Sequence, residues 1–459
     1  MKFKQNPGIP FPPEKSPIFY GWVILFAGMV GIVMSIPGQT MGVSVFTDHL
    51  IGALPLTRSQ LSLAYMLGTV MSGFLITRAG KYYDKYGARV MGMLAGVMLG
   101  LMLVYMARSD RILIPFFGEN KSEWPIGWAL AVMVIGFFGI RFFGQGIMTM
   151  VSRNMLMKWF EHRRGLANAI VGVFVSFSFS AAPGVFNSIM NRTGWRTTWL
   201  ILAAAVGIGF VAFVFLFFRD NPQASGLKPD GKLSRKATEK GPKYKPDRQY
   251  TLHEAIRTYS FWIFNLNMAL NAMFITALTF HVVSIFVEAG YDETTALSIF
   301  IPISVVAVTF NLTAGTLSDY IRLKYLLLVN LLGIVITGMA LFYLDHTPAV
   351  ILLLIGGVGM SNGIFGVLNT VTWPRFFGTL HLGAISGFSM SWLVIGSAVG
   401  PYLYSLSLRD SGSYGLAGLI TSAVALVLWL LALKADNVNE KKKPDPAGKP
   451  ENRQDNSTS

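Results

Sequence analysis

The chain has 459 residues, a formal charge of +15, 53% hydrophobic residues and 13% charged ones. A soluble domain carries roughly 25% charged residues, and the apolar residues here fall in blocks of about 20, the length a helix needs to cross the hydrocarbon core, so a string of soluble domains is excluded. There is no cysteine, which removes disulfides, thiolate metal sites and a cysteine nucleophile, and the six histidines are scattered without ligand spacing, so no metal and no cofactor is expected.

In chain order, residues 1–18 are polar and Pro-rich and read as a cytoplasmic tail. The first apolar block is too long for a signal-peptide core and has no small-residue cleavage site after it, so it is expected to remain as the first helix. Six blocks follow one another in the first half: Tyr20–Phe46, Gln60–Ala79, Val90–Ala107, Gly127–Thr149, Ala167–Met190 and Trp199–Phe218. Residues 219–257 are rich in Lys, Pro and Gly and predict a cytoplasmic linker. The second half repeats the plan with Phe261–Phe286, Thr295–Leu317, Tyr325–Leu344, Pro348–Val371, Gly383–Leu406 and Tyr414–Leu433. Residues 434–459 are charged and polar and are expected to be a disordered cytoplasmic tail. The predicted fold is all-α and integral to the membrane, with bundles at 19–218 and 258–433.

Basic residues set the expected orientation. With the N-terminus inside, Arg58, Arg108, Arg111, Lys121, Arg192, Arg196 and Arg409 fall on outward loops, and Arg141 falls within a helix. The rest of the 38 Lys and Arg fall on the inner side. The basic excess is then a cytoplasmic face near anionic lipid, and nucleic acid is not an expected partner. The short loops point to a prokaryotic cytoplasmic membrane, with both termini inside.

The halves echo each other. Gly144-Gln145-Gly146, Trp159-Phe160 and Gly165 correspond to Ser361-Asn362-Gly363, Phe376-Phe377 and Gly383, at offsets of 217 and 218 residues. Gly80-Lys-Tyr-Tyr-Asp84 is echoed by Gly315-Thr-Leu-Ser-Asp319. Two similar bundles with a site between them suit alternating access.

Candidate site residues follow from the cost of polar groups in lipid. Arg141 lies about 4–5 Å past the middle of block four at 1.5 Å per residue. A central arginine costs at least about 2.5–3.5 kcal/mol on insertion scales, so it must face a cavity or a partner. As a substrate ligand it would hold a carboxylate in its two-pronged guanidinium; as a structural residue it would be satisfied by carbonyls or water. Gln145, one turn on, shares its face. Asn267, Asn271, Phe274, Leu278 and His281 fall on one face of block seven. That stripe predicts either substrate contacts or a hydrogen-bonded seam between helices. His281 has the ordinary titration range of a proton carrier, and packing is the competing role. Gln39 and Thr40 at the end of block one, and Asn362 and Asn369 in block ten, complete the polar candidates. Pro183, Gly184 and Pro401 predict kinks, and Gly356, Gly357 and Gly359 predict close helix packing.

The segment Gly80-Lys-Tyr-Tyr-Asp84-Lys-Tyr-Gly87-Ala-Arg89 resembles the loop signature of the major facilitator superfamily. That resemblance covers nearly the whole chain and implies twelve helices in two pseudo-symmetric six-helix bundles. It also implies a cavity lined by helices one, four, seven and ten, and a cytoplasmic latch at Gly80, Asp84, Gly87 and Arg89, with Asp319 in the second copy. Phe19-Tyr-Gly-Trp-Val, Gly38-Gln39-Thr40-Met-Gly-Val-Ser-Val-Phe46, Trp159-Phe-Glu-His-Arg-Arg164-Gly-Leu-Ala167, Gly194-Trp-Arg196 and Asp220-Asn-Pro222 look like the monocarboxylate-transporter and oxalate:formate-exchanger branch. The branch implies a small organic anion moved by proton symport or exchange. The chain departs from it in having no basic residue in block eight or block eleven. Intramembrane Asp and Glu, usual in proton-driven drug and sugar carriers, are also missing from the blocks. A drug, a sugar or an inorganic anion remains the alternative cargo, and a non-transporting membrane sensor a further one. No nucleophile–base pair or nucleotide-binding motif points to an enzyme. The expected partners are a small anionic substrate, protons and the bilayer, with the chain acting as a monomer.

Overall fold

The computed structural model describes residues 10–230, 246, 248–344, 347 and 349–436. The expected disorder beyond residue 436, and most of the expected linker, fall outside the described residues. All regular structure among the described residues is helical.

Eleven helical segments among the described residues are long and apolar enough to cross a membrane, and one of them crosses twice. Arg58–Ala107 has 50 residues, a length of about 75 Å at 1.5 Å per residue, against about 30 Å of hydrocarbon. Gly87 breaks it, with φ +82° and ψ 175°, a backbone region open essentially to glycine alone. The two legs are α2 (58–86) and α3 (88–107). The other crossings are α1 (Tyr20–Ser44), α4 (Ile126–Trp159), α5 (Arg164–Thr193), α6 (Trp195–Phe217), α7 (Tyr259–Glu288), α8 (Thr294–Ser318), α9 (Leu323–Phe342), α10 (Ala349–Phe377), α11 (Leu382–Ser411) and α12 (Gly415–Ala432). They form two six-helix bundles.

Most predicted boundaries hold to a few residues, but α2 runs to residue 86 past Ala79, α10 to Phe377 past Val371 and α11 to Ser411 past Leu406. Helix α4 runs on to Trp159 where the apolar run predicted an end at Thr149. The added turns are polar in sequence yet almost wholly buried, because Ser152 and Asn154 find hydrogen-bond partners inside the protein. Hydropathy stops where lipid contact stops; the helix stops where packing does.

Small residues set the packing distances, as lipid-embedded helices require. Gly357 lies against Gly333 of α9, and Gly359 against the backbone of Ile303 in α8. Nothing approaches Gly356 within 4 Å, so the predicted packing role does not extend to it. Pro183 and Pro401 lie inside α5 and α11.

The bundles touch through α2 against α11 and α5 against α8. The contact is tightest where the chain passes from α6 toward α7, hereafter the linker end. There a Cβ on Gly80 would strike the backbone of Gly383, and one on Gly165 the backbone of Gly315. Away from that end α5 and α8 lose burial: Phe174, Phe177, Ile301 and Val305 are exposed.

Candidate functional site

Helix α1 is not continuous. It is regular to Met34, tightens into a 3-10 turn at Ile36–Gly38, extends at Gln39 (φ −91°, ψ 159°) and restarts at Thr40. Pro37 supplies no N–H to continue the ladder. Gly38 lets the break sit directly on α4, because a Cβ there would meet the backbone of Ile140 and Gly144. Opposite this break α4 widens into a π segment, Arg141–Met148, a feature that often marks functional sites.

Arg141 opens the π segment and is 2% exposed. Its Nη1 donates to the Gly38 carbonyl at 3.3 Å and to Thr40 Oγ1 at 3.4 Å. Both are long for such bonds. The guanidinium lies 5.3 Å from the centre of the Tyr65 ring, and the Tyr65 hydroxyl is 2.8 Å from Thr40 Oγ1. The Arg141 Nε–H has no partner, and no carboxylate pairs with the guanidinium among the described residues. Gln145 presents a buried Oε1 that is also without a partner. Gln39 faces the same π segment: its Nε2 donates to Ser35 Oγ at 3.0 Å and to Thr149 Oγ1 at 3.3 Å. Thr40 is exposed, so the buried charge lies just beneath a surface of α1.

The structure therefore brings Gln39, Thr40, Arg141 and Gln145 together. The other candidates belong to the second bundle, and none of them hydrogen-bonds to this cluster. Asn267 and Asn271 are buried at 0% and 1% exposure, inside the protein as the cost of bare amides in lipid requires. Both side-chain atoms of Asn267, and Nδ2 of Asn271, have no partner among the described residues. Further along the stripe Phe274 packs on Tyr404, and His281 sits between α11 and α12. Its Nε2 is 2.9 Å from the Pro401 carbonyl and 3.3 Å from Ser405 Oγ, and its Nδ1 is 3.2 Å from the Tyr414 hydroxyl. Asn362 and Asn369 are half-buried on α10.

At the linker end two carboxylates cross between the bundles in the same way. Asp84, at the end of α2, accepts the Gly383 and Ala384 N–H groups at 2.8 Å each. Asp319, just past α8, accepts those of Gly165 and Leu166 at 2.9 and 3.3 Å. Each carboxylate thus lies at the N-terminus of a helix in the other bundle, where orphan amides and the helix dipole favour negative charge. Burial pushes the Asp319 carboxyl up to about 6, against the opposing pull of the two N–H groups and of Arg375 and Arg164. Gly80 and Gly87 serve this geometry, one by close approach and one by its turn. Among the described residues Arg89 makes no hydrogen bond to the second bundle. The turn at Gly87 sends its side chain along α6, where Nε donates to the Phe218 carbonyl at 3.0 Å.

Several contributing residues escaped the sequence reading. Tyr65 and Thr149 lie in apolar blocks without a spacing signal. Asn154 donates to Ser386 Oγ at 2.7 Å, and Thr77 Oγ1 lies 3.0 Å from Ser391 Oγ, both between bundles. Asn311 of α8 donates to the Gly363 carbonyl at 3.1 Å and lies against Gly172 of α5. Lys158 pairs with Asp220 at 2.8 Å. Burial pushes the Asp220 carboxyl up, but Lys158 and the N–H donors of Ala88 and Asn221 outweigh it and hold it below the usual range. A lone Asn or Lys near the end of an apolar block was the available signal.

A model of the Major Facilitator Superfamily matches residues 25–401. An Escherichia coli K12 protein described as the uncharacterized MFS-type transporter YhjX is 24% identical over 307 residues, 65% of this chain and 66% of that protein, so the match spans just under two thirds of the relative. The proton:xylose symporter XylE superposes with a TM-score of 0.64 at 18% identity, over 90% of this chain and 95% of that one. The human organic anion transporter MFSD10 gives 0.62 at 14% identity, over 91% and 100%. A bacterial homologue of the iron transporter ferroportin, in its outward-facing state, gives 0.62 at 12% identity, over 90% and 99%.

Proposed function

The chain belongs to the Major Facilitator Superfamily, and on that premise we propose that it is a secondary transporter, not an enzyme, carrying a small organic anion of the monocarboxylate class by alternating access. The observation that carries the reading is Arg141: a buried guanidinium with long bonds to α1 and, among the described residues, a free Nε–H and no carboxylate beside it. A desolvated cation without a counter-charge favours an anionic ligand, and guanidinium binds a carboxylate through two parallel hydrogen bonds. Gln145 Oε1 adds an unmet acceptor on the same segment, so an acid that also carries a hydroxyl would meet both. The strings around Gly38, Trp159 and Asp220 support the monocarboxylate-like branch.

In this reading Gln39, Thr40, Arg141 and Gln145 bind the anion from the first bundle, and Asn267, Asn271, Asn362 and Asn369 meet it from the second as the bundles close. The anion travels with a proton or in exchange for another anion, and His281, the titratable side chain on the α7 stripe, is the proton candidate. Asp84 and Asp319 hold the linker end shut in the conformation described. The basic excess of the loops favours a cytoplasmic linker and cytoplasmic termini, and in this reading the chain works as a monomer in a bacterial inner membrane.

A second reading is an uncharged, hydroxyl-rich solute. The unpartnered amides of α7 favour it, and the fold is shared with a xylose symporter. Uptake into proteoliposomes separates the two. A panel of labelled acids (lactate, pyruvate, glycolate, formate, oxalate) and sugars is offered to wild type and Arg141→Gln, with and without an inward proton gradient. Saturable uptake of one acid, lost in the variant, supports the anion. Sugar uptake that survives Arg141→Gln overturns it.

A further inference from the structure

Helices α2 and α3 diverge from Gly87, and the π segment of α4 floors the space between them. The result is a groove of about 500 Å³. Its walls are apolar, formed by Leu75, Ala79, Val90, Leu94, Phe142 and Ile147. It opens sideways, toward Phe74, Tyr82 and Leu94, which are exposed. The opposite face of α2, at Gly73 and Gly80, is packed on α11. Arg78 and two tyrosines complete the lining. Arg78 is exposed and has no hydrogen bond or ion pair among the described residues. Lys81 and Lys85 follow it on the same helical face, three and seven residues on. Tyr82 and Tyr86 stack with ring centres 6.2 Å apart, and the Lys85 ammonium lies 5.0 Å from the Tyr86 ring.

We propose that this groove holds one anionic glycerophospholipid, its phosphate on Arg78 and an acyl chain against the π segment of α4. A soluble anion has no use for the apolar walls, and an uncharged lipid leaves Arg78 unmatched. Tyrosines at this level belong at a headgroup boundary, and basic clusters draw anionic lipid from the facing leaflet. The floor residues Phe142 and Ile147 alternate with Arg141 and Gln145 on one segment, so an acyl chain in the groove braces the wall that presents Arg141 to α1. Only this last consequence rests on the anion reading; the lipid site does not.

The test uses the full chain in detergent with phosphatidylglycerol or phosphatidylcholine added, and counts retained lipid by native mass spectrometry. One phosphatidylglycerol is expected to remain in preference to phosphatidylcholine. Arg78→Gln should weaken its retention about fivefold, the value of one basic contact to an anionic leaflet, with phosphatidylcholine unaffected. Leu94→Trp, which fills the groove and leaves every charge in place, should weaken retention of both. Inorganic phosphate should not displace the lipid, and phosphatidylglycerol should raise the Tm of wild type alone. Equal retention in wild type and Arg78→Gln, indifference to Leu94→Trp, or displacement by inorganic phosphate would each overturn the site. If no labelled acid is transported, the retention measurements still decide the lipid question, so the two failures are distinguishable.

Discussion

Asp84 and Gly383 belong to different bundles, yet the carboxylate of the first accepts the backbone N–H of the second at 2.8 Å. The bond forms at a helix start, where the donor has no partner within its own helix. Asp319 repeats it on Gly165 from the other bundle at 2.9 Å. The linker end is therefore closed by two pseudo-symmetric clasps, each of which must break before that end can open.

Replacing both carboxylates should shift the molecule toward the linker-open state. Each carboxylate serves two helix-start N–H donors, and a buried donor left without its acceptor costs about 1–3 kcal/mol. Asp84→Ala with Asp319→Ala, which removes the acceptors and not only the charge, should therefore raise the open population more than tenfold. Because the chain has no native cysteine, spin labels at Lys85 and Leu380 report the change cleanly. A distance distribution identical to wild type would show that the clasps do not set the equilibrium.

Acid should favour the closed linker end. The Asp319 carboxyl lies at about 6 in the closed state because burial disfavours its charge. Released into water it titrates near 4, so the closed state binds the extra proton. Its advantage is complete below the released value and is lost as pH rises through about 6. At pH 5 the closed state should gain about tenfold over its high-pH population. The same spin-label pair, titrated from pH 7.5 to pH 4.5, should show this in wild type and a smaller change in Asp319→Asn, where only Asp84, also pushed up by burial, remains.

Gly80→Ala should open the linker end without unfolding either bundle. Its methyl would run into the backbone of Gly383, which has no flexible end to move aside, and such overpacking costs about 1–3 kcal/mol. The burden falls on the inter-bundle contact alone. Label distances should lengthen while the Tm of the purified protein changes little.

Gly87→Ala should behave in the opposite way and lower thermal stability. The turn there needs φ +82° and ψ 175°, and an L side chain in that region costs about 1–3 kcal/mol. Because α2 and α3 both depend on the turn, the loss should appear in the Tm measured by near-UV circular dichroism.

Arg141→Lys should impair transport nearly as much as Arg141→Gln. An ammonium keeps the charge but not the planar fork that matches a carboxylate. Losing a charge-assisted hydrogen bond costs about 1.5–3 kcal/mol, or roughly ten- to a hundredfold in uptake at low acid concentration. Wild-type uptake by Arg141→Lys would mean that charge alone suffices.

The features legible from the residues are those the bilayer enforces one segment at a time. Crossings must be about 20 apolar residues long, so the helices were legible. A buried arginine and buried amides must avoid lipid, so Arg141, Asn267 and Asn271 could be placed inside. The Gly80–Arg89 string announced the turn at its centre. Which interior each residue shares depends on how the helices pack. Helices apolar on every side carry no phase that names a neighbour, so one polar stripe on α7 could face the substrate path or a seam, and His281 proved to sit against α11 and α12. The same blindness hid the break of α1 against α4, the π segment, the turn of Arg89 back along α6 and the continuation of α4 past Thr149. Each depends on a backbone or side chain distant in sequence supplying a partner, and that partner exists only once the helices have packed.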